Sequence, residues 1–472
     1  MLKTCKALGL LAAIAWTGCG GSDDGSPVSG AAGQSPDDAG AEASAQDGSG
    51  DAADEPSEAS AESSADAAAE AAASDCTQPP RAFWIYDLSV MPPAYIQVEA
   101  TCRAQGDHVY LYVADDIWDA QMTASDVEQV MTAFEKSTPA DPAKGIFQLA
   151  TGTFGATTDV DDDGHVFLLF YEIQGYQGYQ FDGFIRREDM LGGTKSNQAE
   201  VLYLDGVRND PGSEYMLGVA AHEFEHMIML NQNPAQAGWL DETMAETSMI
   251  ACGYYGDLAD WVKPDFAKNP TQTLTTEPPK FNYGAGFLFG GYLFERFGAG
   301  FFSVLAKGSS TGIAAIDAAL VAQGKTDTFR SLLPDWAMAN FLDAPAIDQG
   351  QYGYKAFEVP VMASTAAAVP AAEATYSVQP YSARYVLYTV GGPDNSTLQL
   401  TMQSDDYATL AFRYAGYPDT DKASAQVGAF SMSGATDSLA VPAVGGSINR
   451  VVLAIVETGG AAATVKIAAA QP

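Results

Sequence analysis

From Cys76 onward apolar and polar residues fall into periodic runs, and the period changes along the chain. Phe83–Tyr86 and His108–Val113 are short runs rich in β-branched and aromatic side chains, and they read as strands. Thr123–Lys136 places Val127, Val130, Met131 and Phe134 on one helical face, with Thr123 or Ser125 as the cap. Strands at His165–Tyr171 and Val201–Leu204 follow, then a helix from about Ser213 to Asn231, closed by Pro234. Helical patterns continue to about Asn340. Past about Pro345 the repeat shortens to two. Arg384–Val390, Leu398–Met402, Ala408–Tyr414 and Val451–Val456 alternate with Gly, Pro, Asn and Asp turns, as in an antiparallel sandwich. The pattern predicts an α+β domain over 76–344 and an all-β, sandwich-like C-terminal domain over 345–472, with no internal repeat.

The first 75 residues follow a different rule. Lys3 and Lys6 precede a short apolar stretch, Ala7–Trp16, so residues 1–18 read as an export signal too short to span a bilayer. Trp16-Thr17-Gly18-Cys19 resembles the lipobox of bacterial lipoproteins, with Trp16 where that box carries an aliphatic residue. The resemblance implies lipidation at Cys19 and a cell-surface or outer-membrane location; ordinary cleavage and full secretion is the other outcome. Residues 19–75 are nearly all Ala, Ser, Gly, Asp, Glu and Pro without an aromatic. Such a segment cannot offset its chain entropy by burial, and it predicts a disordered acidic tether.

Charge narrows the partners. The chain carries 60 acidic against 23 basic residues, a formal net of -37 over 472 residues, and only 14 of the acids lie in the tether. The folded part is therefore acidic as well. That surface repels phosphate backbones and anionic headgroups, which excludes nucleic acid and leaves membrane contact only through a lipid on Cys19. Of five cysteines, Cys5 leaves with the signal; Cys76 and Cys102 are placed to pair in an oxidising compartment. Cys252 sits in an apolar helical stretch as a small buried hydrophobe.

The candidate chemistry lies on the helix before Pro234. His222-Glu223-Phe224-Glu225-His226 is an HExxH pattern, and histidines at i and i+4 share a face and can reach one ion. Two of the four histidines in the chain fall here. A catalytic zinc needs a third protein ligand and an open fourth position. With fifteen residues between them, Glu242 follows His226, within Gly238-Trp239-Leu240-Asp241-Glu242-Thr243-Met244-Ala245-Glu246. Glu246, one turn further on, can accept the free ring N–H of a ligand histidine, and the roles of Glu242 and Glu246 are interchangeable at this level. Asp159, Asp161 and Asp163 before Gly164 form a D-x-D-x-D-G loop that suits calcium, or a plain acidic turn. Phe170 stands where an EF-hand would need Glu, so it is not an EF-hand.

HEFEH followed by WLDETMAE resembles the gluzincin zinc metallopeptidases. The Asp159–Val166 turn and strand and the Asn197–Asp205 stretch narrow the resemblance to the hyicolysin-type bacterial extracellular family, over about residues 80–340. The resemblance implies a zincin-like domain and a zinc-dependent endopeptidase acting on protein or peptide substrates. His222, His226 and Glu242 would be the zinc ligands and Glu223 the general base. It also implies an oxyanion donor beyond the third ligand. No His follows His226, so a tyrosine is implied: Tyr283 in Asn282-Tyr283-Gly284-Ala285-Gly286, with Tyr254, Tyr255 and Tyr292 as rivals. No G-x-M-E-N segment of the aminopeptidase kind is present. The alternative is a catalytically inactive zincin-like surface protein that binds through its β-domain. Whether the region from Cys76 to about Gly155 is an integral sheet or a removable propeptide stays open in the sequence.

Overall fold

The computed structural model describes residues 76–255 and 263–471; the expected signal, Cys5, Cys19 and the tether lie outside the described residues. Six strands form one mixed sheet: β1 (Arg81–Asp87), β2 (Ala94–Gln105), β3 (Val109–Ala114), β4 (Val166–Tyr171), β5 (Gly183–Ile185) and β6 (Val201–Asp205), in spatial order β1-β2-β3-β4-β6-β5. The central strands β3, β4 and β6 run parallel, with Leu111 opposite Leu168 and Leu168 opposite Leu202. They are buried at every position, so they read as unbroken apolar runs. β2 is long and largely exposed; its place comes from pairing between β1 and β3. Residues 81–114 therefore supply three of the six strands, as an integral part of the sheet.

The outer edge of β1 is closed by side chains. Asn197, in the loop before β6, accepts from Trp84 N at 2.8 Å and donates to Trp84 O at 3.0 Å, standing in for a neighbouring strand. Its amide also reaches the Tyr203 hydroxyl at 2.6 Å, and Arg186, fully buried, donates to the Trp84 carbonyl. Asp189, buried beside them, neutralises Arg186 at 3.7 Å and accepts from Asn197 N at 2.6 Å. A disulfide joins Cys76 to Cys102 on β2, with Cα atoms 6.0 Å apart, and fixes the start of the described chain.

Helices α1 (Ala124–Glu135), α2 (Ile146–Phe154) and the short α3 (Arg187–Leu191) precede two long helices, α4 (Glu214–Gln232) and α5 (Gly238–Cys252). Further helices follow, among them α6 (Tyr283–Phe297), α7 (Ala299–Lys307), α8 (Gly312–Ala322) and α9 (Phe329–Leu342). α4 packs against β5 and β6 on one side and α5 on the other, and α5 in turn packs on α6. The last contact is unusually close. A Cβ on Gly290 would lie 2.2 Å from Thr247 Oγ1, and one on Gly286 would meet Phe281 and Thr243. Thr243 and Thr247 need no donor or acceptor from α6, because each hydroxyl donates to its own helix, to Trp239 O and Thr243 O. None of the described helices is long and apolar enough to cross a membrane.

After residue 345 the chain is β-rich. Strands β7 (Thr365–Ala368), β8 (Ala371–Val378), β9 (Ala383–Thr389), β10 (Ser396–Gln403), β11 (Leu410–Tyr417), β12 (Gln426–Ser431), β13 (Thr436–Val444), β14 (Arg450–Glu457) and β15 (Ala463–Ala470) make two sheets. Their orders are β13-β10-β15-β8 and β12-β11-β14-β9-β7. Along β14, Val451, Leu453 and Ile455 fill the space between the sheets. Val452, Ala454 and Val456 face the other way and join the core of the helical body. That second face lies on α9, with Tyr385 donating to Ala337 O at 2.7 Å and Arg413 paired with Asp335 at 2.6 Å.

Removing the side chain that caps β1 leaves the Trp84 amide buried without a partner. Asn197→Ala is expected to lower the unfolding free energy by about 3 kcal/mol, read as a lower urea midpoint with an unchanged m-value.

Candidate metal centre and active site

α4 begins at Ser213, whose side chain accepts from Met216 N at 3.3 Å. It ends at Asn233, ahead of Pro234, where Asn233 Nδ2 donates to Gly308 O and Ser310 O. The nineteen residues between carry apolar side chains on nearly every face, because the helix is wedged between sheet and helices. His222, Glu223 and Glu225 are buried in this apolar wall, and His226 lies at its margin. α5 starts beside Glu277, whose carboxylate accepts from Trp239 N at 3.2 Å, and stops at Gly253 with φ 83°. That span sets Glu242 and Glu246 one turn apart, both buried, on the side that meets α4.

Three donor atoms converge. His222 Nε2 and His226 Nε2 are 3.2 Å apart, and Glu242 Oε2 lies 3.6 Å from the first and 3.8 Å from the second. Metal–ligand bonds of about 2.0–2.2 Å in a tetrahedron separate their ligands by roughly 3.3–3.6 Å. The trio can therefore hold a zinc-sized ion. Glu242 Oε2 is buried and takes no hydrogen bond. A carboxylate oxygen left so would be costly, and a cation between the three atoms removes that cost.

The outward ring nitrogens are held by carboxylates. Glu246 Oε1 is 3.4 Å from His222 Nδ1, and Asp241 Oδ2 is 3.1 Å from His226 Nδ1. Each accepts the Nδ1 proton and so presents Nε2 to the shared centre. Asp241 carries no signal in the sequence beyond its neighbours. Its role comes from lying one residue before Glu242 on a helix that crosses α4 at His226. Glu225, also 3.8 Å from His226 Nδ1, is fully buried with both oxygens free of hydrogen bonds.

Electrostatics around the trio favour positive charge. Burial alone would lower His222, but Glu242, Glu246 and Glu223 outweigh it and hold the imidazole well above its ordinary value. His226 is opposed by burial in the same way and is carried up to about 9, chiefly by Asp241. Burial also raises Glu223, Glu225 and Glu246. Glu223 Oε1 is buried without a hydrogen-bond partner, in a wall whose other side is Gly183 on β5.

Tyr283 is the first residue of α6, set by the Asn282 cap, whose side chain accepts from Ala285 N at 2.9 Å. Its ring centroid is 6.4 Å from that of His222. The rivals have other neighbours. Tyr254 packs by Gly218, Tyr255 against Phe357, and Tyr292 against Tyr354. Cys252 ends α5 in the core, where burial pushes its thiol up to about 12. In the acidic loop the structure groups Asp159 and Asp161 with Glu200 rather than with Asp163. Asp163 instead turns back on its own chain and accepts from His165 N at 2.8 Å.

No protein-family profile matches the chain. The chain is 28% identical over 149 residues to the neutral metalloprotease ShpI of Staphylococcus hyicus, a segment covering 28% of this chain and 33% of that protein. Among solved structures, aminopeptidase A of Legionella pneumophila, in complex with aspartic acid, aligns at 11% identity. That alignment covers 77% of this chain and 36% of that one, with a TM-score of 0.31. The pre-peptidase C-terminal domain of a Bacillus anthracis collagenase aligns over 23% of this chain and 99% of its own, at 6% identity and a TM-score of 0.19. Scores of this size do not establish a shared fold.

A methyl group on Gly183 would stand 2.8 Å from Val219 Cγ1 and 2.9 Å from Glu223 Cγ. Gly183→Ala is thus expected to cost about 1–3 kcal/mol of stability in a denaturant titration and to move the Glu223 side chain.

Proposed function

We propose that this chain is a zinc-dependent endopeptidase of the gluzincin type, allied to the hyicolysin-type extracellular family. In this reading it works outside the cell, behind an export signal and on an acidic tether that a lipid on Cys19 can anchor. The observation that carries the reading is the convergence of His222 Nε2, His226 Nε2 and the otherwise unpartnered Glu242 Oε2 at separations of 3.2, 3.6 and 3.8 Å. The partial sequence likeness to a neutral metalloprotease supports it.

Zinc on these residues would supply Lewis acidity, polarising a peptide carbonyl and acidifying water toward a pKa of ~7. The protein's own groups then divide the work. Glu223, next to the first ligand on α4, accepts a proton from the attacking water. Burial raises its proton affinity, so it can hold that proton and pass it to the departing amine. Glu246 and Asp241 keep both imidazoles in the tautomer that presents Nε2. Tyr283 stands on the His222 side of the centre and donates its hydroxyl proton to the oxyanion as charge develops. The apolar walls of α4 and α6 keep bulk water from competing with these contacts.

Glu223→Gln separates binding from chemistry. The variant is expected to retain one zinc by metal analysis and to lose about 10²–10⁴-fold in casein hydrolysis, because the amide cannot take the proton. Zinc retention with undiminished cleavage would remove Glu223 from the mechanism. Zinc with no cleavage by the parent protein would favour an inactive zincin-like binder. Tyr283→Phe should lower kcat by about 10²-fold with KM little changed.

A further inference from the structure

Glu200 is fully buried at the entry to β6, yet its carboxylate serves an exposed loop. One oxygen, Oε1, accepts from Val160 N at 2.8 Å; the other, Oε2, is buried and takes no hydrogen bond. The Thr157 hydroxyl beside this loop is likewise buried without a partner. Asp159 and Asp161 hang from the same loop, and each brings a carboxylate oxygen within 4.8 Å of Glu200's ligating atom. A buried acid facing two more acids is an arrangement that folding alone does not favour.

We infer that Asp159, Asp161 and Glu200 form a calcium site, separate from the zinc centre. The donors are hard oxygens on a short flexible loop, a set that suits Ca²⁺ better than the strict octahedron of Mg²⁺ or the nitrogen and sulfur preference of zinc. Asp163 keeps a different task. It orders the loop exit through His165 N, while Asp159 Oδ1 accepts from Asp163 N at 3.1 Å and closes the turn.

The loop is also latched to the zinc helix. Asn231 Nδ2 donates to Ala156 O and Thr157 O at 3.0 Å each, and Gln232 Nε2 donates to Ala156 O at 2.6 Å. A cation that rigidifies residues 156–163 therefore stiffens the C-terminal turn of α4, which carries the zinc ligands further back.

The test uses the mature protein with zinc kept saturating, freed of calcium by dialysis, and probed with Ca²⁺ itself. Equilibrium dialysis with labelled calcium is expected to show one ion per chain with Kd at or below about 1 mM, and calcium should raise Tm by several degrees where equal magnesium raises it less. Glu200→Gln and Asp161→Asn should each weaken calcium binding at least about tenfold, while Asp163→Asn changes Kd by less than about threefold. Asp161 is exposed on the loop, so its variant keeps the test valid if Glu200→Gln fails to fold. No stoichiometric calcium on the folded parent up to about 5 mM would overturn the site, as would an Asp163→Asn loss equal to that of Asp161→Asn.

Discussion

Four glutamates and two histidines are packed between α4 and α5, in a wall otherwise made of Leu, Met, Phe and Ala. Ionised groups in such surroundings are tolerated only when they neutralise one another or share an ion. The geometry meets that demand for Glu242, Glu246 and both histidines. Inner nitrogens and a bare carboxylate oxygen face a common point, and outer nitrogens face Glu246 and Asp241. Much of the surrounding architecture then reads as support for that point: the capped start of α4, the Glu277 brace on α5, and the glycine face of α6 that lets its first residue, Tyr283, come close.

How much of this could be read in advance depends on whether a signal is local. β3, β4 and β6 are buried on both faces, so their runs of apolar residues stand out, and the helix before Pro234 carries its own punctuation. The HExxH spacing is likewise local, because one helical turn fixes it. β2 has no unbroken apolar run: apolar and polar residues alternate along it, most are exposed, and its place comes from pairing with β1 and β3. The strands β7, β8, β12, β13 and β15 were missed for a related reason, being Ala-, Ser- and Gly-rich, with little β-propensity of their own.

The polar contacts show the same division. Asp241 and Glu200 become partners of His226 and of the Asp159–Asp161 loop only after helices cross and strands align, with sequence separations of 15 and about 40 residues. Three aspartates on alternating positions invite the reading that all three point inward. The turn instead spends Asp163 on its own backbone and recruits a glutamate from the neighbouring strand. The same applies to Asn197: the sequence marks it only as the start of the Asn197–Asp205 stretch, and the fold uses it to replace a strand at the edge of the sheet.

The two-faced burial of β14 bears on how this chain could have been assembled from parts. Its even-numbered side chains belong to the helical body and its odd-numbered ones to the sandwich, so the junction is a shared core rather than a hinge. α9, on which that strand rests, also carries Trp336 against Phe289 of α6. Exchanging the lobe after residue 345 for an unrelated one, as gene fusion does with freely tethered domains, would strip apolar cover from α9 and reach the helix that begins at Tyr283. The sandwich is thus inherited with the rest of the protein, and its surface can diversify only on the side turned away from α9.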